Sequence, residues 1–334
     1  MLKHLIHSSL SFLLPGPFLP SPPPSSKTNS HHTNLSMAAA SGRIAVVGDT
    51  HNDWELEQDS LALQFLQPDL VLFTGDFGNE NVELVRSIAD LKFTKAAILG
   101  NHDAWNTYQF ATKTKDGVQL QLECLGNEHV AYGRLDFPRL KLSIVGGRPF
   151  TTGGDQLFRK KLLSARYGIK NMDASAMKIC GAAKGTPQGH SIIFLGHNGP
   201  KGLGSNMNDI CGKDWVYEGG DHGDPDLAQA ISLVKETTKR AVPLVVFGHM
   251  HKELRFGGLR KMIHTGTDDT IYLNGAVVPR VKRLVDNEGC SRAFTLVEIS
   301  GGKIMKITET WVSVSMGRTA IAEEHVLYSR SSDA

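Results

Sequence analysis

Eight side chains that could bind a metal ion or move a proton follow glycine at five places along the chain. They lie in the segments GDTH, GDFGN, GNHD, GHNG and GHMH, and they are Asp49, His51, Asp76, Asn101, His102, His197, His249 and His251. Imidazole and carboxylate groups without any thiolate suit first-row divalent ions such as Mn, Fe, Zn, Co or Ni. A single His-x-His pair is common on protein surfaces, so a metal site is indicated only by the whole set.

The number of these residues exceeds what one ion needs, so two ions that share a carboxylate are the simplest arrangement. Two ions roughly 3.5–4 Å apart can clamp the attacking and leaving oxygens of an in-line phosphoryl displacement. They also lower the pKa of a bridging water, so that hydroxide forms near neutral pH. The residue types therefore predict a two-metal site for phosphoryl transfer.

Each of the five segments directly follows a short apolar run and shares its final glycine. Six such runs end in glycine: RIAVVG, LVLFTG, KAAILG, LSIVGG, SIIFLG and LVVFG. Continuous runs of this length are typical of strands covered on both faces. Helical spacing of apolar residues lies between several of them, in WELEQDSLALQFLQ and ENVELVRSIADLK, while GDPDLAQAISLVKE offers Asp224 as an N-cap before Pro225. We expect an α/β sheet whose strand ends bring the ligands to one edge.

The motifs and their order resemble the calcineurin-like metallophosphoesterase superfamily over about residues 44–251. The resemblance implies an αββα sandwich of two mixed β-sheets flanked by helices. It also implies that the strands after residue 270, in TIYLNG, AFTLVEI and KIMKITETWV, build part of the second sheet.

The same resemblance assigns roles to the motif residues, with two divalent metal ions per chain as cofactors. The ligands would be Asp49, His51, Asp76 and His251 for the first ion, and Asp76, Asn101, His197 and His249 for the second. Asp76 would bridge the two ions. His102 would lie beside the leaving-group oxygen, as a general acid or as a donor to the transition state.

The second motif departs from the protein Ser/Thr phosphatase branch, in which an Asp and then an Arg continue it. This chain has Asn79 and Glu80 there, and it has GNHD where that branch has GNHE. The missing Asp would support the catalytic His, and the missing Arg would grip a phosphate. We therefore do not expect a phosphoprotein phosphatase, although Asn79 could orient His102 through its amide.

Further contacts to substrate are predicted outside the motifs. Arg148 in VGGRPF ends another strand at the same edge, where its guanidinium would match the oxygens of a phosphate; a salt bridge is the alternative. His222 and Asp214 lie in a Gly-rich loop, residues 198–226, which either touches substrate or serves as scaffolding. Trp105 either lines the pocket or packs against the sheet.

The domain organisation predicted from the sequence has three parts. Residues 1–42 form a disordered, targeting-like segment, residues 43–313 the metallophosphoesterase domain, and residues 314–334 a C-terminal tail. Within the domain, residues 151–189 resemble an inserted helical segment that caps the cleft. Its basic residues would attract an anionic substrate or form only a solvated helix face.

Residues 1–42 contain no Asp or Glu and are rich in Ser and Pro. A segment of this composition cannot form a packed core. It resembles a plastid transit peptide, so a chloroplast location is expected. Translation from Met37 would instead leave a cytoplasmic protein. A secretory signal around LIHSSLSFLLPGPFL would be interrupted by polar residues and by Pro15.

Composition excludes several classes of function. Lys and Arg number 36 against 34 acidic residues, so the basic surplus that usually accompanies nucleic-acid or membrane binding is missing, and nuclease activity is a weaker option. The four cysteines lie far apart, which argues against a disulfide scaffold or a zinc ribbon. After the N-terminal segment, no apolar run approaches the roughly 18 residues of a membrane span.

Together these features predict a metal-dependent phosphoric ester hydrolase. It would cleave a small phosphodiester, pyrophosphate or phosphomonoester by in-line attack of a metal-bridging hydroxide. The GDFGN and GNHD pattern alone favours a diester or pyrophosphate slightly. The alternative is a scaffold or binding protein that kept the fold and lost the chemistry, which the presence of all seven ligands and His102 argues against.

Overall fold

A computed structural model describes residues 40–283, 289–315 and 318–331. In these ranges the helices are α1 (Leu56–Leu66), α2 (Val82–Asp90), α3 (Gly117–Leu125), α4 (Lys160–Tyr167), α5 (Met172–Lys184) and α6 (Pro225–Thr237), with two single 3₁₀ turns at His102–Ala104 and Gly126–Glu128. The strands are β1 (Ser41–Val47), β2 (Leu70–Phe73), β3 (Lys95–Ala97), β4 (Arg134–Phe137), β5 (Leu142–Gly146), β6 (Ser191–Leu195), β7 (Leu244–Phe247), β8 (Ile263–Thr265), β9 (Ile271–Asn274), β10 (Val281–Arg283), β11 (Cys290–Ser300), β12 (Lys303–Ser315) and β13 (Arg318–Ser329). The predicted targeting-like segment lies outside the described residues except for residues 40–42, where β1 begins.

The strands form two mixed sheets. The first has the order β13-β12-β11-β1-β2-β3, with β10 beside β11, and the second has the order β4-β5-β6-β7-β9-β8. Strands β1, β2 and β3 are parallel in the first sheet, and β5, β6, β7 and β9 are parallel in the second. All six glycine-terminated runs are strands, three in each sheet. The predicted fold class is confirmed.

Alternation along the strands explains why these runs are apolar throughout. In β1, Ile44 and Val46 pack in the layer between the two sheets, while Ala45 and Val47 pack in the core that includes the helices. Neighbouring strand residues point to opposite faces, so a strand with helices on one side and a second sheet on the other has no polar face. The second sheet fills the shared layer with Leu142, Ile144, Ile193, Leu195, Leu244, Val246, Ile271 and Leu273.

Helices cover the outer faces and complete the helix–sheet–sheet–helix order. Helices α1, α2 and α3 bury Leu63, Val85 and Val118 in the core, and α5 and α6 bury Ile179 and Ile231. Side-chain caps start three of these helices: Asn81, Asp116 and Asn171 each accept a hydrogen bond from a backbone N–H of the first turn.

Residues 151–189 include the helices α4 and α5, and α5 packs on the second sheet. It connects β5 to its parallel neighbour β6, and it buries Ile179, Cys180 and Ala183 in the core. Parallel neighbours need a crossover connection, and a helix packed on the sheet supplies it. Helix α5 therefore belongs to the outer helix layer of the second sheet.

The strands after residue 270 are divided between the sheets. Strand β9 joins the second sheet, whereas β11 and β12 extend the first sheet from the free edge of β1. Strand β13 pairs with β12 along most of its length, so the sheet continues into the residues predicted as a C-terminal tail. Within the described ranges, no helix has both the length and the apolar character that crossing a membrane requires.

Candidate metal centre

The predicted ligands come together at the carboxyl ends of parallel strands from both sheets. Asp49, Asp76 and Asn101 follow β1, β2 and β3, while His197 follows β6 and His249 and His251 follow β7. Three groups have ligand atoms within 4.8 Å of one another: Asp49, His51 and His251; His51, Asp76 and His102; and Asp76, His197 and His249. The ligands meet at one end of the sandwich, not at the edge of a single sheet.

The first group has the spacing of atoms around one ion. The Nε2 atoms of His51 and His251 are 3.0 Å apart, and Nε2 of His251 is 3.6 Å from Oδ2 of Asp49. Tetrahedral bonds of 2.0–2.1 Å place neighbouring ligand atoms about 3.3 Å apart. Two ring nitrogens that face each other beside a carboxylate therefore fit a divalent cation.

The second group is arranged around His197. Its Nδ1 lies 2.7 Å from the carbonyl oxygen of Thr74, and its Nε2 lies 2.9 Å from Oδ1 of Asn101 and 3.3 Å from Oδ1 of Asp76. A hydrogen bond from Nδ1 to a carbonyl is the usual way in which proteins orient a metal-binding imidazole. This ring therefore presents Nε2 to the oxygens of the site.

The electrostatics of the site favour a cation. Burial opposes charge on both Asp76 and His197, but their mutual attraction outweighs it, holding the pKa of Asp76 well below its ordinary value and raising the pKa of His197 to about 10. Burial, followed by the charge of His197, lowers the pKa of His249 to about 3. Ligands must be ionised carboxylates and neutral imidazoles, so a divalent ion and a proton would compete for His197.

Backbone strain is concentrated at the same residues. Four of them have a positive φ: Asp49 (40°), His51 (42°), Asp76 (52°) and His249 (65°). Non-glycine residues adopt this conformation mainly where the surrounding structure enforces it, often at functional sites. Two motif glycines allow the close approach, because a Cβ on Gly100 would overlap Asp76 and His197, and a Cβ on Gly248 would overlap Asp49.

Asp103, to which sequence reasoning gave no role, holds the second and third motifs together. Its buried carboxylate accepts hydrogen bonds from the backbone N–H groups of Asp76, Phe77 and Gly100, at 2.8–2.9 Å. These bonds fix the loop that carries Asp76. The signal was present in the sequence, since Asp103 is the last residue of GNHD.

Arg280 fixes the loop that follows Asp49 and His51. Its Nη1 donates to the carbonyl oxygen of Asp53 at 2.6 Å, and its Nη2 donates to the buried carboxylate of Asp59 at 2.7 Å. No sequence pattern marks this contact, because the two partners are 221 residues apart.

The family model of the calcineurin-like phosphoesterases matches residues 42–253, which is more than half of the chain. The chain belongs to the calcineurin-like phosphoesterase family. The superfamily predicted from the motifs is confirmed. Family membership, together with the Asp and His groups that could bind metal, makes the chain a metal-dependent phosphoesterase by class. No curated protein matches the sequence.

Several solved structures align over most of this calcineurin-like phosphoesterase. A Plasmodium protein described as GAP50, the anchor in the inner membrane complex, is 12% identical, with 88% of this chain and 90% of that chain covered and a TM-score of 0.47. A Thermus thermophilus protein is 12% identical, with coverages of 86% and 99% and a TM-score of 0.46. A dimetal phosphatase from Danio rerio is 9% identical, with coverages of 84% and 98% and a TM-score of 0.44.

The ring of His102 in this phosphoesterase contacts the side chains of Asn79 and Trp105. Its Nδ1 is 2.6 Å from Oδ1 of Asn79, and its ring stacks on Trp105 with centroids 4.6 Å apart and planes at 14°. Its backbone N–H donates to Oδ1 of Asp76 at 2.9 Å. Trp105 therefore packs on the catalytic candidate itself, and Asn79 is placed where it can fix the orientation of the ring.

Arg148 does not face the cleft of the phosphoesterase, contrary to the predicted phosphate contact. It is fully buried, and its guanidinium donates to Asp224 at 2.7 Å and to Asp226 at 2.9 Å. Asp224 also accepts from Thr151. Asp224 lies at the N-cap position of α6, as predicted. Its side chain does not cap the helix, because the carboxylate accepts from Arg148 and Thr151 instead.

The Gly-rich loop of the phosphoesterase borders the metal centre. The ring of His222 stacks against that of His249, with centroids 6.1 Å apart, and Trp215 contacts His222 edge-on at 4.7 Å. Arg260 ties the loop to the site, since it donates to the carbonyl oxygen of His251 at 2.9 Å and to loop carbonyls including that of Gly212, at 2.6 Å.

A cavity of about 280 Å³ opens beside the last two ligands. It is lined by Asp214, Trp215, His249, Met250, His251, Glu253, Arg255 and Arg260. Sequence reasoning named Asp214 but missed both arginines, which follow the last motif. The exposed cation that lines this part of the cleft is Arg255, not Arg148.

Proposed function

We propose that this chain hydrolyses a small phosphodiester, pyrophosphate or phosphomonoester with the help of two divalent ions. The ligands would be Asp49, His51, Asp76 and His251 for one ion, and Asp76, Asn101, His197 and His249 for the other. The position of Asp76 carries this proposal. Its Oδ1 is 3.3 Å from His197 and its Oδ2 is 3.9 Å from His51, so one carboxylate lies between the two groups of ligands.

Bound divalent ions would supply Lewis acidity toward the phosphoryl oxygens and would acidify a water for the attack. The chain's own part is to hold the ligands in a fixed, strained loop framework and to supply His102. With Nδ1 held by Asn79, His102 would donate a hydrogen bond or a proton to the phosphoryl or leaving-group oxygen. That donation stabilises charge that develops only in the transition state.

The test of this function is turnover by chelator-stripped protein that has been refilled with Mn²⁺. An aryl phosphomonoester and the matching bis-aryl diester would be compared. We expect turnover of at least one ester, dependent on Mn²⁺, and the faster ester defines the substrate class. Stoichiometrically loaded protein that cleaves neither ester would favour the scaffold alternative.

Asn79→Ala should lower kcat about 10-fold, by analogy with the roughly 10–100-fold cost of removing a residue that orients a metal ligand. The reason is that His102 would lose the acceptor at Nδ1. Asn79→Asp is the matched control, because it keeps an acceptor at this position and should retain turnover. Parental kcat in Asn79→Ala would show that Asn79 does not orient His102.

We also propose that residues 1–42 direct the protein to the plastid. Their lack of acidic residues and their richness in Ser and Pro support this location. Fusion of residues 1–42 to a fluorescent protein should place it in chloroplasts of plant cells. A cytoplasmic signal would favour a start at Met37.

A further inference from the structure

The cavity beside His249 and His251 is a candidate subsite for the part of the substrate that is not hydrolysed. At about 280 Å³ it lies close to the lower end of the roughly 300–1,000 Å³ range of small-molecule pockets. A group bound there would be attached to a phosphate at the metal centre, since two of the proposed ligands form one wall. A role for this cavity in substrate binding therefore rests on the proposed function.

Trp215 offers an aromatic surface in this cavity. The ring contacts His222 edge-on, and His222 stacks on His249, so the indole is positioned relative to the metal centre. It nevertheless remains 40% exposed. A half-exposed tryptophan held beside a reaction centre is suited to stack on a planar ring of the ligand.

Arg255 offers a positive charge at the same cavity. Its side chain is exposed and has no ion-pair partner among residues 40–283, 289–315 and 318–331, since the nearby Asp214 pairs with Arg260. Its backbone N–H donates to Oδ2 of Asp214 at 2.9 Å, which fixes the main chain at this point. A planar guanidinium can bind phosphate oxygens in a bidentate manner, so Arg255 can bind an anionic group close to the metal centre.

Two carboxylates in the lining narrow the class of ligand. Asp214 and Glu253 both line the cavity, and Asp214 is paired with Arg260 at 3.6 Å. Their charges offset those of Arg255 and Arg260, so the lining lacks the positive surplus that would suit a ligand that is anionic throughout, such as a polyphosphate. The carboxylate oxygens can also accept hydrogen bonds from hydroxyl or amino groups. An aromatic face, a cation and two acceptors together match a planar base, a phosphate and sugar hydroxyls.

We propose that the cavity binds the nucleoside part of a nucleotide substrate. The base stacks on Trp215, sugar hydroxyls or base amino groups donate to Asp214 and Glu253, and Arg255 contacts the phosphate whose ester bond is cleaved at the metal centre.

This inference is tested with paired substrates that differ only in the presence of the base. They are a nucleoside 5′-phosphate and ribose 5-phosphate, each offered as the monoester and as its methyl diester to the Mn²⁺-loaded enzyme. Stacking of a base is worth a factor of about 10–100, so kcat/KM should be higher for the nucleotide by that factor. Trp215→Ala should reduce this ratio of kcat/KM values to near one, and Trp215→Phe should retain part of it. Tyr217→Ala is the control and should leave the ratio unchanged, because Tyr217 is 88% exposed and is not among the residues lining the cavity.

Calorimetry provides a readout that is independent of turnover. A nucleoside 5′-phosphonate, which cannot be hydrolysed, should bind the loaded enzyme about 10–100-fold more tightly than the ribose phosphonate, and Arg255→Ala should weaken both. Equal cleavage of the nucleotide and the ribose phosphate, with equal binding of the two phosphonates, would overturn the nucleoside subsite. The phosphoesterase proposal would still stand. Selective nucleoside binding without cleavage of any ester would support the subsite and count against the proposed function.

Discussion

Asp76→Asn should lower kcat/KM by more than roughly 1,000-fold while the protein remains folded. Loss of a single preorganised electrostatic group costs about 10²–10³-fold in other enzymes, and Asp76 is expected to serve both ions. The substitution keeps the shape of the side chain but removes the charge that lies between His51 and His197. Bound metal, measured by elemental analysis, should fall together with turnover.

The control for Asp76→Asn is Asp90→Asn, which makes the same change at an exposed residue at the end of α2. This variant should keep both turnover and metal content. Circular dichroism would show that both proteins are folded. An Asp76→Asn enzyme with parental turnover would contradict the shared-carboxylate assignment.

His102→Ala should lower kcat by about 10²–10⁴-fold, the usual contribution of a positioned general acid or base. Unlike Asp76→Asn, it should leave the metal content unchanged, because His102 is not among the expected ligands. The loss should be larger for an alkyl ester than for an aryl ester, since a good leaving group needs less help from a donor.

The dependence on the leaving group separates the possible roles of His102. Equal losses for alkyl and aryl esters would indicate that His102 contacts a non-leaving oxygen of the phosphoryl group. Loss of bound metal in His102→Ala would instead show that His102 acts as a ligand, beside His51 and Asp76. Unchanged kcat with both esters would contradict any catalytic role.

The strands and the ligands could be predicted from sequence because both are local signals. A strand buried on two faces is apolar throughout, as Ile44 to Val47 show, and a motif that follows it must lie at its carboxyl end. Nothing in this reasoning needs to know which strands are neighbours. The division of the six strands between two sheets was not predicted, because the sequence analysis placed their ends at the edge of one sheet.

Long-range pairing and side-chain direction could not be predicted. Arg148 ends a strand, as the sequence suggested, but it points toward Asp224 and Asp226, which are 76 and 78 residues away. No local pattern distinguishes that arrangement from a phosphate contact. Arg255, in contrast, was not predicted at the site, because it lies in an exposed turn that no motif marks. Only the folded loop brings it close to the metal centre.

The pairing of β13 with β12 also could not be predicted from the local sequence. Residues 318–329 are exposed at most positions, and the sequence analysis interpreted them as part of a tail. Backbone hydrogen bonds to β12 nevertheless make them the edge strand of the first sheet. Pairing of this kind depends on the neighbouring strand and leaves only a weak signal in the sequence.

The most direct test of the central claim is turnover measured against the number of Mn²⁺ ions bound per chain, in chelator-stripped protein loaded stepwise. We predict no turnover in stripped protein and full turnover only when two ions are bound per chain, with Asp76→Asn failing to reach that state. Parental turnover in stripped protein, or full turnover with one ion bound, would contradict a two-metal phosphoesterase.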